Sequence, residues 1–119
     1  MKIPGPDHPI TIAKSAKRVR VRFAGRVIAD STRVLTLTEA GYPPVYYIPR
    51  ADADMSLLTR TGHATHCPYK GDASYFTVAA DARNAVNAAW SYERPYPAVA
   101  EIGEHLAFYP NRVDAIEVE

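Results

Sequence analysis

Within six residues, His66-Cys67-Pro68-Tyr69-Lys70-Gly71, the chain gathers its only cysteine with a histidine, a lysine and a tyrosine. Pro68 and Gly71 punctuate the run and predict a shaped loop that holds reactive side chains at fixed angles. Cys67 as a nucleophile would need its pKa depressed by a nearby cation, and His66 and Lys70 are the candidates. No oriented base or third group stands beside it, so a small buried hydrophobe at a strand end is the favoured reading. Lys70 before Gly71 can reach into a cleft while the backbone turns tightly beneath it. There it would meet a phosphate or carboxylate, or lie on a tyrosine ring; an exposed turn lysine is the alternative of equal weight. The Gly-x-x-x-x-Gly-Lys-Ser/Thr spacing of a P-loop is absent.

Other groups could serve the same site. Tyr46, Tyr47, Tyr69, Tyr75, Phe76, Trp90 and Tyr92 are aromatic. Core packing accounts for most of them, leaving one or two to line a pocket. Adjacent tyrosines on a strand face opposite ways, so one of Tyr46 and Tyr47 belongs to the core and the other to a surface or cleft. Arg26 and Glu39 are candidates for a cross-strand pair, and Arg33 and Arg50 are further polar positions to be placed. An arginine converging with Lys70 would suit an anion. Acid-base work would fall to His66 or Glu39, neither with a visible partner. His63, His66 and Cys67 are too few for a closed zinc site, and His63 and His66 on one strand would point to opposite faces. No structural zinc is expected, and any cofactor stays unspecified.

These positions need a scaffold, and 119 residues suit one domain with one core. Apolar residues make up 47% and charged residues 23%, and the formal net charge is +1, which sets up no field for nucleic acid or an anionic membrane. Arg18, Arg20 and Arg22 line one strand face, and a solvated face explains them without nucleic acid. No apolar run approaches the ~20 residues that span a bilayer. The N-terminal Met1-Lys2-Ile3-Pro4-Gly5-Pro6 lacks the apolar core of a secretory signal, and a lone cysteine forms no internal disulfide. A cytoplasmic location is therefore expected.

Residues 1–17, with three prolines and no clear period, read as an extended N-terminal arm. Val19, Val21 and Phe23 alternate with Arg18, Arg20 and Arg22, the pattern of a half-buried strand. Ala24-Gly25 turns into a second strand at Val27–Asp30. Strands are expected again around 33–39, at Val45–Ile48 after the stiff Pro43-Pro44 corner, at 61–66, at Ser74–Val78, and at the closing segments 106–109 and 115–118. Met55 and Leu58 face the core from one or two helical turns in 52–58. Residues 81–89 stay open between a helix capped by Asp81 and a strand. Pro97 to Glu104 is the best helix candidate. The expected fold is mainly β, formally α+β: one small domain with a curved, mostly antiparallel sheet and one or two short helices.

Several segments then coincide with a known family: Gly25-Arg26-Val27-Ile28-Ala29-Asp30-Ser31, Pro44-Val45-Tyr46-Tyr47-Ile48-Pro49-Arg50, His66 through Phe76, Ala89-Trp90-Ser91-Tyr92, and Ala107-Phe108-Tyr109. From about residue 18 to the C-terminus, in order, the chain resembles the domain-of-unknown-function family DUF427. The resemblance implies a small β-rich domain of the β-tent, or Mss4-like, kind over 18–119. Some domains of that architecture carry zinc on paired Cys-x-x-C knuckles, which this chain lacks. A nucleotidyltransferase-like label is attached to the family, but the Gly-Ser pair followed by two metal-binding aspartates does not occur here. The resemblance supplies a fold and a set of positions without an activity.

Three functions follow in order of preference. The first is a binding domain for an unidentified small molecule, with an anion among the candidates, possessing or lacking catalysis. Its cleft would lie at the Cys67–Gly71 loop, with Arg26, Tyr47, Cys67, Lys70, Trp90 and Tyr92 as ligand contacts. The second is a protein-interaction or self-association module forming homo-oligomers. The third is an enzyme dependent on Cys67. In any of these, Cys67, Lys70, His66 and Glu39 are the catalytic candidates.

Overall fold

The computed structural model describes residues Met1–Glu119. Its strands are β1 (Ile10–Lys14), β2 (Val19–Phe23), β3 (Arg26–Ser31), β4 (Leu35–Glu39) and β5 (Val45–Pro49), followed by β6 (Leu58–Cys67), β7 (Gly71–Ala80), β8 (Arg83–Ser91), β9 (His105–Phe108) and β10 (Ala115–Val118). Only short 3-10 segments interrupt them, at Arg50–Asp52, Met55–Leu57 and, kinked at Val99, Pro97–Ile102. The expected mainly β domain is what forms, and every strand pair is antiparallel. Seven strands lie in the order β1-β4-β5-β9-β8-β7-β6, and three more in the order β10-β2-β3. No helix is long and apolar enough to cross a membrane.

Alternation decides how the layers meet. On β5, Ile48 joins one buried cluster and Tyr47 the other; on β7, Phe76 and Val78 oppose Ala73 and Tyr75; on β9, Leu106 and Phe108 oppose Ala107. The large sheet is thus apolar on both faces, as a sheet covered on both sides must be. Val19, Val21 and Phe23 of β2 pack on one face. Val99 and Ile102 of the Pro97–Ile102 turn, both fully buried, close the other. The proline at the start of that segment favours a turn, but Val99 departs from helical angles, so no regular helix grows there.

Of residues 81–89, the first two form a turn and the rest belong to strand β8. Asp81 and Ala82 both take positive φ, 49° and 65°, which gives a two-residue hairpin turn whose twist matches the flanking strands. Asp81 sits in that turn and caps no helix. Ala24 and Gly25, at φ 53° and 75°, make the corresponding turn between β2 and β3. Within the N-terminal segment, Ile10–Lys14 pairs with β4 in register Ile10 with Glu39 through Lys14 with Leu35. Residues before it are tied down as well: the Pro9 carbonyl accepts from Ala40, and the Pro68 carbonyl accepts from the Lys2 amide at 2.7 Å.

Candidate functional site

β5 and β9 pair only over Ile48–Leu106 and Pro49–His105. Beyond that point the sheet parts, and a cavity of about 770 Å³ fills the opening. Val45, Tyr46, Trp90 and Phe108 line it at the parting. Val19, Val21, Ile116 and Val118 of the small sheet wall one side, and Pro43, Pro44 and Pro110 stiffen the rim. Twelve of the 18 lining residues are hydrophobic. Polar groups collect at one end, where His8, Glu39, Cys67 and Tyr69 meet the cavity.

That end is built by three separated segments. Glu39 closes β4, and β1 pairing brings it opposite Ile10. Pro9 then directs the chain back, and a turn closed by Gly5 and His8 presents the His8 ring. The ring stacks on Tyr69, with centroids 4.1 Å apart and planes within 6°. Its Nε2 lies 2.7 Å from Glu39 Oε2. Lys70 Nζ donates to the other oxygen of the same carboxylate and also lies 5.8 Å from the centre of the Tyr92 ring. Lys70 is only 8% exposed, unusual for a lysine and explained by this pairing. Burial alone would raise the Glu39 carboxyl, but the hydrogen bonds from Lys70 and His8 outweigh it and hold the group below the usual carboxylate range. Glu39 is therefore an ionised, acceptor-only group.

Gly71 makes the Lys70 placement feasible. Its φ of 106° is a conformation side chains rarely adopt, and it turns the chain from Lys70 into β7. The Lys70 carbonyl accepts from the Tyr96 amide, which docks the loop onto the segment leading to Pro97.

The candidates from sequence divide clearly. Glu39, Cys67 and Trp90 line the cavity, and Lys70 touches it through Glu39. Cys67 is half-buried. Tyr47 lies under the cavity wall, 1% exposed, and its hydroxyl accepts from the Trp90 indole. Burial pushes the Tyr47 and Tyr92 hydroxyls far above the ordinary phenol range, so both stay protonated. Tyr92 packs in the second buried cluster beneath Lys70. Arg26 is apart from all of this, paired with Asp81 on the surface, and does not pair with Glu39. His66 bonds Asp72 at 2.7 Å on an exposed stretch of β6, while His63 packs edge-on to Tyr75. No group of three or more His, Cys, Asp and Glu side chains gathers as metal ligands.

Two cavity residues carry little signal in the sequence. His8 sits among prolines in a segment without period. Tyr46, not Tyr47, faces the cavity; strand parity separates the two but does not say which side is hollow.

A mainly β domain with an apolar cavity opened between two strands, and a His–Glu–Lys cluster at one end, is the class that these observations define. Residues 11–119 match the family model described as Domain of unknown function (DUF427). The chain belongs to that family. No curated protein matches it.

Proposed function

We propose that this protein binds a small, largely apolar molecule in the cavity beside Trp90, with the molecule's polar group at the His8–Glu39 end. The single observation that carries this reading is the cavity itself: about 770 Å³, lined mostly by apolar residues, with His8, Glu39 and Tyr69 in mutual contact on its lining. That is the build of a small-molecule site, where apolar walls supply affinity and a few polar groups fix orientation. An anion is a poorer fit than the lysine alone suggests. Lys70 spends its charge on Glu39, and Arg26 lies elsewhere. A neutral ligand matches a cluster whose charges already cancel. Cys67 contributes wall surface in this reading, and its lone thiol suits a reducing, cytoplasmic setting.

The test is a thermal-shift screen with aromatic alcohols, fatty alcohols, sugar phosphates and carboxylates, run beside Val118→Phe. Val118 is 37% exposed at the cavity wall, so a larger side chain fills the hollow without disturbing the buried core. A ligand at a hundred times its Kd stabilises the native state by about 2.7 kcal/mol. Hits among neutral apolar compounds, weakened in Val118→Phe, support the reading; hits confined to phosphates and carboxylates overturn it.

One observation favours a second reading. β6 is an edge strand of ten residues, and most of them are exposed. Such an edge is a template for pairing with another chain, as in a homo-oligomer. Light scattering at high concentration distinguishes the two: a concentration-dependent dimer supports this use of β6, and a monomer removes it.

A further inference from the structure

The polar end of the cavity has a fixed hydrogen-bonding sense, and this narrows the ligand class. Glu39 accepts from both sides, from Lys70 on Oε1 and from His8 on Oε2. An ionised carboxylate has no proton to donate, so the 2.7 Å contact requires His8 to carry hydrogen on Nε2. A neutral imidazole with Nε2–H has Nδ1 as a bare acceptor. No protein group bonds Nδ1: the only side-chain hydrogen bond that His8 makes is the one to Glu39. The ring cannot swivel freely to satisfy it, because its face is stacked on Tyr69. Tyr69 is held in turn at the Pro68 end, where the Lys2 amide donates to the Pro68 carbonyl and Lys2 Nζ lies 5.9 Å from the Tyr69 ring centre. His8 keeps 25% of its side chain exposed and lines the cavity.

Resting on the cavity reading above, we propose that the ligand is a hydroxylated aromatic compound whose O–H donates to Nδ1 of His8. The carboxylate behind the ring is what makes His8 a good acceptor: Glu39 on Nε2–H pushes electron density toward Nδ1, as second partners of histidine do elsewhere. The aromatic body lies against Trp90, Tyr46 and Phe108, where ring–ring contacts add to burial. Glu39 and Lys70 are positioning residues here. They hold the imidazole in one tautomer and touch no ligand atom in this assignment.

The experiment is calorimetric titration with two probes, 2-naphthol and 2-methoxynaphthalene, which share the ring system and differ in the O–H. It is run on the whole chain at a single buffered pH for both probes. The expected result is that 2-naphthol binds roughly tenfold or more tightly than its methyl ether, the scale of one well-made hydrogen bond in a dry site. In His8→Phe, which keeps a ring on Tyr69 but removes the acceptor, the two probes should bind alike. Equal binding of the probes to the wild type overturns the inference while leaving the cavity reading intact. So does a preference for 2-naphthol that survives in His8→Phe. Binding of neither probe overturns the inference and counts against the cavity reading with it. The comparison of probes on the wild type needs no variant, so it stands even if His8→Phe misfolds.

Discussion

Replacing Lys70 by methionine keeps most of the aliphatic stem over Tyr92 and removes the ammonium from Glu39. The side chains of Lys70 and Glu39 retain only 10% and 15% of their exposure, so both charges are largely desolvated. Breaking a buried pair by deleting one partner costs about 3–5 kcal/mol, because the survivor stays buried and uncompensated. His8 remains on the second carboxylate oxygen and some solvent reaches the pair, which lowers the expected cost to about 2–3 kcal/mol. At about 4 °C per kcal/mol for a chain of this size, Tm should fall by about 8–12 °C. The assay is urea unfolding followed by the emission of Trp90, the sole tryptophan, for wild type, Lys70→Met, Glu39→Gln and the double variant. A double variant less destabilised than the sum of the singles by about 1–2 kcal/mol isolates the pair. The pH dependence has a definite sign. The folded Glu39 carboxyl lies below its unfolded value of about 4.3, so its stabilisation is complete above that value and is lost as pH falls through the folded value. The gap between wild type and Glu39→Gln should be full at neutral pH and should close as the pH falls below about 4. A Lys70→Met melt within about 1 °C of wild type, or a gap that ignores pH, would refute this account of the site.

Glu93 organises a second polar hub: Arg60 on it first of all, then Ser74 and Arg50, hold its carboxyl down to about 2 against the effect of burial. Glu93→Gln should cost about 2 kcal/mol at neutral pH, with the loss vanishing between about pH 5 and 2; chemical denaturation at stepped pH checks it. Gly71→Ala should destabilise by about 1–3 kcal/mol, because the φ of 106° strains any side chain although the added carbon meets only ordinary contacts, the nearest at 3.6 Å; a thermal melt measures it. Alkylation of Cys67 should slow in proportion to occupancy when 2-naphthol saturates the cavity, as mass spectrometry of the timed reaction would record. An unchanged rate would remove Cys67 from the ligand's vicinity.

Much of the scaffold is legible in the residues themselves. The Val19-Arg20-Val21-Arg22-Phe23 alternation admits one reading, and the structure buries its three apolar members. Pro43-Pro44 marks a corner because few conformations are open to proline, and Gly25 marks another because glycine takes a positive φ without strain. The 81–89 segment resisted because its alanines permit a helix and Asp81 serves equally as a helix cap or a turn residue, and the deciding fact is the pair of positive φ angles at Asp81 and Ala82. At the site, local spacing found Cys67 and Lys70 together but not their counterpart. The partner of Lys70 is Glu39, 31 residues away, and His8 reaches the same carboxylate from another 31 residues upstream. Such convergence is a product of β1–β4 pairing and of the loop docking on Tyr96, both long-range. Arg26 illustrates the opposite error: a polar residue inside a matched motif whose surface pair with Asp81 accounts for it.

The most direct test of the central claim is amide NMR of the wild-type protein titrated with 2-naphthol, with the single indole N–H of Trp90 as an internal reporter. The account predicts a saturable shift of that indole resonance together with the amides of Val45, Tyr46, Cys67, Tyr69, Phe108 and Ile116, the residues that surround the cavity. A static Trp90 indole, with any perturbations scattered over the exposed β6 edge, would contradict it.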